Sequence, residues 1–125
     1  MEHKILDAAE SISKFLNSFS RPNRIAVLLA IGKSETCVCQ LSTILGWKQA
    51  YLSQHLMALK KSGIISDRRS GKYVYYRLTD PSLLDHFKAF TSMVGLPTDL
   101  IDPWITPRET LKCECDHNLE TPSIE

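Results

Sequence analysis

Two pairs of closely spaced cysteines are the residues of this 125-residue chain best suited to chemistry. They occur in the segments Cys37-Val38-Cys39 and Cys113-Glu114-Cys115. Thiolates are soft ligands for thiophilic ions, and in a reducing compartment such cysteines more often bind metal or respond to redox state than form structural disulfides. The pattern therefore predicts a metal or redox site with all four cysteines as candidate ligands.

The number of thiolates separates the candidate ions. A pyramid of three thiolates suits As(III) or Sb(III), whereas a tetrahedron of four suits Cd(II) or Zn(II), with Pb(II) as a further candidate. Two thiolates alone hold a soft ion weakly, so we expect Cys113 and Cys115 to complete a site begun by Cys37 and Cys39, from the same chain or from a partner. An alternative is a thiol-redox or sulfide sensor, in which one of the first two cysteines is bridged to the second pair without any metal.

The spacing of Cys37 and Cys39 constrains such a site. On a regular helix, residues two positions apart point about 200° away from each other. Both thiols can therefore approach one ion only if the start of their helix departs from the helical spiral. With Thr36 as the predicted N-cap, both lie in the first turn, where the helix dipole favours the thiolate form.

The elements that must position these cysteines follow from the apolar spacing along the chain. Helical periodicity predicts helices over 3–18, 22–32, 36–46, 48–62 and 80–95, and β-prone runs at 64–69 and 73–78 form a hairpin around Ser70-Gly71. This order is that of a mainly α winged helix-turn-helix domain, with a β-hairpin wing, over residues 1–96. Residues 97–125 read as an acidic, proline-containing tail that carries the second cysteine pair.

Basic residues are concentrated in one part of a nearly neutral chain. Residues 47–78 contain seven basic residues and one acidic residue, whereas the whole chain has a net charge of +1. Such a block is typical of a protein that binds a phosphate backbone. The predicted DNA contacts are Lys48, Gln49, Tyr51, Ser53, Gln54 and His55 on the fourth helix, and Arg68, Arg69 and Lys72 on the hairpin.

Other classes of protein find little support in the sequence. No apolar run reaches the roughly 18 residues of a membrane span, and the N-terminus lacks the features of a signal peptide, so a cytoplasmic protein with no membrane partner is expected. There is no C-x-x-C motif and no glycine-rich phosphate loop, so an enzyme is not expected. A structural-zinc interaction module is a further, weaker alternative.

Three segments resemble the arsenic-repressor (ArsR-type) family of metalloregulators. The stretch Glu35-Thr36-Cys37-Val38-Cys39-Gln40-Leu41 is similar to the family's metal-box motif, residues 51–65 resemble its recognition helix, and residues 68–78 resemble its wing. The resemblance implies a homodimeric repressor, with the first and fifth helices at the dimer interface. Such a repressor would leave double-stranded operator DNA when it binds a toxic metal or metalloid.

The sequence departs from the family pattern at two places. The family's arsenic-type site has a third thiolate three residues after the second cysteine, where this chain has Ser42. The family's zinc-type site lies on the last helix, where Asp85 and His86 have no matching second histidine, so this site is not expected here. The first departure makes the tail pair the expected source of the missing thiolate.

Overall fold

The structure, a computed structural model, describes residues 2–105. In chain order, its elements are α1 (Glu2–Asn17), α2 (Pro22–Ile31), β1 (Thr36–Cys37), α3 (Val38–Leu45), α4 (Gln49–Lys61), β2 (Ile65–Ser70), β3 (Tyr73–Leu78), α5 (Leu83–Met93), a 3-10 turn (Thr98–Leu100) and α6 (Asp102–Ile105). The order confirms the predicted winged helix-turn-helix: α3 and α4 form the helix-turn-helix, and β2 and β3 form the wing.

A single apolar stripe holds α4 against the rest of the domain. Leu52, Leu56 and Leu59 follow one another at helical spacing and are fully buried, together with Leu28 of α2 and Leu41 of α3. Each fully buried leucine stabilises the fold by roughly 1.5–3 kcal/mol. The stripe fixes which face of α4 points away from the protein.

The turn between α3 and α4 depends on one glycine and one serine. Gly46 ends α3 with a left-handed backbone (φ 73°), and its N–H donates to the carbonyl of Ser42 at 2.8 Å. The Ser42 hydroxyl in turn donates to the carbonyl of Trp47 at 2.5 Å. The turn thereby sets the angle between the two helices.

The wing is an antiparallel hairpin whose register runs from Ile65↔Leu78 to Ser70↔Tyr73. Its two-residue turn begins with Gly71 at φ 63°, as expected where glycine takes the first central position of a tight hairpin. A third strand, β1, which the sequence did not predict, pairs with β3 on the side opposite β2.

Strand β1 corrects the predicted start of the third helix. Thr36 does not cap α3: it lies opposite Tyr76 in the sheet, and Cys37 is the N-cap. The extended backbone that β1 needs to pair with β3 is incompatible with starting the helix at Thr36.

The C-terminal part of the domain also differs from its predicted outline. α5 begins at Leu83, because Asp80 Oδ1 accepts hydrogen bonds from the backbone N–H and the hydroxyl of Ser82 and holds residues 80–82 in a turn. The predicted tail begins as folded chain, since Ile101 is only 6% exposed and belongs to the main core. Residues 106–125 lie outside the described part.

Helix α1 packs on the domain mainly through its C-terminal end. The Phe19 ring lies between those of Phe15 and Phe87, with ring centroids 5.1 and 5.7 Å away. Most other α1 side chains are exposed. Within the described residues, no helix has both the length and the apolar character that a membrane crossing requires.

Candidate thiol site and nucleic-acid interface

The two cysteines at the start of α3 converge. Cys37 has an extended backbone (φ −92°, ψ 167°), whereas Cys39 lies in the first turn of the helix. On a regular helix the two side chains would point away from each other. Because Cys37 is extended, they point toward each other instead, and the two Sγ atoms lie 3.4 Å apart. The structure therefore meets the condition that the sequence set for both sulfurs to approach one ion.

The surroundings of this thiol pair combine burial with a helix N-terminus. Cys37 and Cys39 are buried beside Tyr75, with Tyr73 packed against them. Gln40 closes a capping box: its side-chain Oε1 accepts from the Cys37 N–H at 3.2 Å, and its backbone N–H faces the Cys37 sulfur. Both cysteines are disulfide-bonded in this structure and are not free thiols, so an ion could bind to them only after their reduction.

Only part of the predicted ligand set falls within the described residues. Cys113 and Cys115 lie outside them, and in the described range no group of three or more His, Cys, Asp or Glu side chains is placed to hold a metal ion. Ser42 is engaged with the turn before α4. On α5, Asp85 forms an exposed ion pair with Lys33 at 3.4 Å.

The thiol pair is linked to the wing in two ways. Cys37 lies opposite Tyr75 in the β1–β3 register. Two residues before it, Glu35 accepts two hydrogen bonds from the Arg68 guanidinium, at 2.7 and 2.9 Å, and that guanidinium lies 5.0 Å from the centre of the Tyr75 ring. The Arg68 hydrogen bond holds the pKa of Glu35 below its usual value, and the same contact raises the pKa of Arg68.

The face of α4 opposite its leucine stripe is exposed to solvent and carries both polar and apolar side chains. At about 100° per residue, the centre of that face falls on Ala50, Gln54, Met57 and Lys61, with Ser53 and Tyr51 on its flanks. All six are exposed. Among the predicted DNA contacts on this helix, Tyr51, Ser53 and Gln54 thus lie on or beside the outer face, Lys48 is exposed at its N-cap, and Gln49 is half-buried.

His55 occupies a different environment from the exposed residues of α4. Its ring is perpendicular to that of Tyr51, with centroids 4.6 Å apart, and lies 6.4 Å from Trp47. Burial, followed by the charges of Arg24 and Arg21, lowers the pKa of His55. Its Nε2 is buried and has no hydrogen-bond partner among the described residues. This placement suits a residue that supports Tyr51, which also accepts a hydrogen bond from the side-chain amide of Asn23.

The basic side chains of the wing are held differently from one another. Arg69 and Lys72 are exposed near the hairpin turn, whereas Arg68 is tied to Glu35. Two exposed residues, Arg21 before α2 and Met57 on α4, were absent from the predicted contacts. Arg21 was not predicted because it lies outside the basic block of residues 47–78. Met57 was not predicted because it carries no polar group, although it follows Gln54 by three residues and helical spacing therefore puts both on one face.

Comparison with known proteins assigns the fold to a family. The model of the family described as "Bacterial regulatory protein, arsR family" matches residues 21–67. The arsenic resistance transcriptional regulator ArsR1 of Pseudomonas putida is 34% identical over 97 residues, which are 76% of this chain and 71% of that protein. The chain belongs to the arsR family of bacterial regulatory proteins.

This arsR-family chain is also similar to a second curated protein and to a solved structure. The HTH-type transcriptional repressor SmtB of Mycobacterium tuberculosis is 41% identical over 80 residues, which cover 64% of the chain but only 57% of SmtB. The crystal structure of the transcriptional repressor BigR from Xylella fastidiosa matches with a TM-score of 0.67 at 27% identity, over 78% of this chain and 99% of BigR. The family is thus described as one of regulatory proteins, and the three relatives as a transcriptional regulator and two transcriptional repressors.

Proposed function

We propose that this chain is a homodimeric transcriptional repressor that leaves its operator DNA when As(III) or Sb(III) binds to its cysteine thiolates. Cys37 and Cys39 supply two of the ligands, and Cys113 or Cys115 completes the set. The observation that carries the proposal is the convergence of the Cys37 and Cys39 sulfurs at the start of α3.

The separation of these sulfurs favours a pyramidal site. With bonds of about 2.3 Å from an ion to each sulfur, tetrahedral coordination places two sulfurs about 3.8 Å apart, and a narrower angle of about 95° places them about 3.4 Å apart. The observed distance is 3.4 Å. Once both cysteines are reduced, a separation close to this value suits a pyramid of three thiolates, which supports As(III) or Sb(III) over Cd(II), Pb(II) or Zn(II).

Contacts around the thiol pair provide a route from the ion to the DNA-binding elements. Cys37 is at once the N-cap of α3 and a member of β1, which pairs with the wing strand β3. An ion bound by both sulfurs and by a third thiolate from Cys113 or Cys115 constrains both elements. Through α3 it acts on α4, and through β1 and Glu35 it acts on the wing, so the two DNA-contacting elements change their relative positions.

The DNA side of the proposal depends on the outer face of α4. Gln54 can pair with adenine in the major groove, and the exposed side chains of Lys48, Arg69 and Lys72 would contact phosphates. Arg21, which is exposed just before α2 and close enough to His55 to affect its pKa, adds a further cation near α4.

Exposed apolar side chains support the homodimer. On α1, Ile5, Leu6 and Ile12 are 58–65% exposed, and on α5 and beyond it Met93 and Val94 exceed 70%. Apolar groups in such numbers on a small domain mark an interface rather than a surface that stays in water. Sedimentation velocity should show a dimer that Ile12→Glu dissociates, whereas Lys14→Glu, which puts the same charge on the opposite side of α1, leaves it intact.

The central experiment measures release from DNA. The full chain is bound to a fluorescent duplex selected from random-sequence DNA, and arsenite, antimonite, Cd(II), Pb(II) and Zn(II) are titrated separately under anaerobic, reducing conditions. Cys37→Ser, Cys39→Ser and the double variant Cys113→Ser/Cys115→Ser should bind the duplex normally but lose or weaken the response. His86→Gln, on the helix where the family's zinc-type site would lie, is the matched control and should respond like the wild type.

Each other outcome of this titration would indicate a different effector or a different set of ligands. Release by Cd(II) or Pb(II) but not by arsenite would indicate a four-thiolate site. Release only by peroxide or polysulfide would indicate a thiol-redox sensor. Arsenite release that survives loss of Cys113 and Cys115 would show that the tail supplies no ligand.

A further inference from the structure

The side chain of Met57 is an apolar group at the centre of the outer face of α4. It is 68% exposed. It follows Gln54 by three residues and Ala50 by seven, a spacing that places all three on one side of a helix. It points away from the buried Leu56 and Leu59, and it belongs to neither apolar cluster of the domain.

Exposure of one methionine is ordinary on a protein surface, so the argument depends on its neighbours. Helix α4 contains no acidic residue, and the residues that surround Met57 on the outer face are the neutral Ala50, Ser53 and Gln54 and the basic Lys61. A face of this composition suits the floor of a DNA major groove. There, the C5-methyl of thymine is the apolar group that base edges offer, and a flexible thioether side chain adapts well to such a contact.

We propose that Met57 is a specificity-determining residue, which contacts the C5-methyl group of a thymine in the major groove. The inference rests on the proposed binding of operator DNA. Residues three apart on a helix have Cβ atoms about 5–6 Å apart, and stacked base pairs rise about 3.4 Å, so Met57 and Gln54 reach the same or adjacent base pairs. Each operator half-site therefore contains an A·T pair read by Gln54, with the thymine read by Met57 in that pair or beside it.

Replacing thymine by uracil isolates the contact, because deoxyuridine lacks only the methyl group. In the selected duplex, each thymine is changed in turn to deoxyuridine, and the dissociation constants of the wild type and Met57→Ala are compared. The wild type should lose about 4-fold in affinity at one position per half-site, the value expected for one buried methyl. Met57→Ala should be insensitive at that position and unchanged in sensitivity elsewhere.

Two controls separate base reading from general binding. Met57→Leu keeps an apolar side chain and should keep most of the sensitivity to uracil. Lys61→Ala, one turn further along α4, should weaken binding to all duplexes alike and reduce its salt dependence. Because Met57 is exposed, Met57→Ala should show an unchanged melting temperature.

The inference and the function on which it rests fail in different ways. If no thymine methyl contributes to binding by the wild type, or if Met57→Ala retains the sensitivity, the assignment to Met57 is overturned while the regulator stands. If the full chain selects no duplex from the random pool, the proposed repressor itself is overturned.

Discussion

The guanidinium of Arg68 and the carboxylate of Glu35 form a two-point ion pair, with hydrogen bonds of 2.7 and 2.9 Å. Glu35 precedes β1, and Arg68 lies in β2, so the pair spans the three-stranded sheet across the intervening β3. One cation of the wing is thereby committed to a carboxylate two residues from Cys37. The pair connects the thiol site to the charge that the wing can offer to DNA.

Removing the charge of Glu35 should strengthen DNA binding. In Glu35→Gln, Arg68 is no longer neutralised and can contact a phosphate, so the slope of log affinity against log salt should steepen by up to about 0.9. Fluorescence anisotropy at several salt concentrations measures both quantities. Glu10→Gln, which removes the same charge from α1, is the matched control. Weaker binding by Glu35→Gln would mean that the ion pair orients Arg68 for DNA instead of withholding it.

The same ion pair should make the fold sensitive to acid. Arg68 lowers the pKa of Glu35 from an unperturbed value of 4.5. The contribution of the Glu35 carboxylate to the free energy of unfolding is therefore fully present above pH 4.5. It is lost as the pH falls through the lower pKa that Glu35 has in the folded state. Because the Arg68 side chain is half exposed, screening by solvent keeps this contribution small. Urea unfolding between pH 7 and 3 should show this loss in the wild type, and the difference between wild type and Glu35→Gln should shrink over that range.

His55 should cause a second loss of stability, at higher pH. Its pKa is lowered from 6.5 by burial and by the nearby Arg24 and Arg21, so protonation is less favourable in the folded than in the unfolded state. Its contribution is present above pH 6.5 and declines as the pH falls below it. His55→Gln should flatten the melting temperature between pH 7 and 5. His86→Gln, at an exposed histidine, should leave the wild-type slope unchanged.

The backbone of Gly46 should resist substitution even though there is space for a side chain. An added Cβ would meet nothing within 4 Å, but φ is +73°. Gly46→Ala should therefore destabilise the domain by about 1–2 kcal/mol through backbone strain alone. Gly46→Asn should cost less, because asparagine tolerates the left-handed region. Equal losses in the two variants, measured by urea unfolding, would contradict this explanation.

Ser42 should act through the fold and not through the effector. Its hydroxyl is bound to the carbonyl of Trp47. Ser42→Ala should lower the free energy of unfolding by about 1 kcal/mol, the usual value of one such hydrogen bond. The arsenite concentration that releases half of the DNA should stay the same. A large shift in that concentration would instead place Ser42 among the ligands.

Much of the fold could be predicted from local patterns. The leucine stripe of α4 has a helical period, and Gly46 and Gly71 occur where turns require them, so the helix-turn-helix and the wing were predicted. Strand β1 could not be, because two residues have no period, and Thr36 and Cys37 become a strand only when β3 lies beside them. Similarly, Ile101 follows a proline-containing stretch, and its place in the core depends on packing against distant helices.

The candidate sites, like the fold, could be predicted from the sequence only in part. Residue types and their spacing could be found without a structure: the two cysteine pairs, the basic block and the positions of α4 opposite its leucine stripe. The tertiary structure was needed to show that Cys37 leaves the helical spiral, that Arg68 is bound to Glu35 and that His55 packs beneath Tyr51. Spacing along a chain is a local property, whereas burial, ion pairing and the convergence of two sulfurs depend on which distant segments pack together.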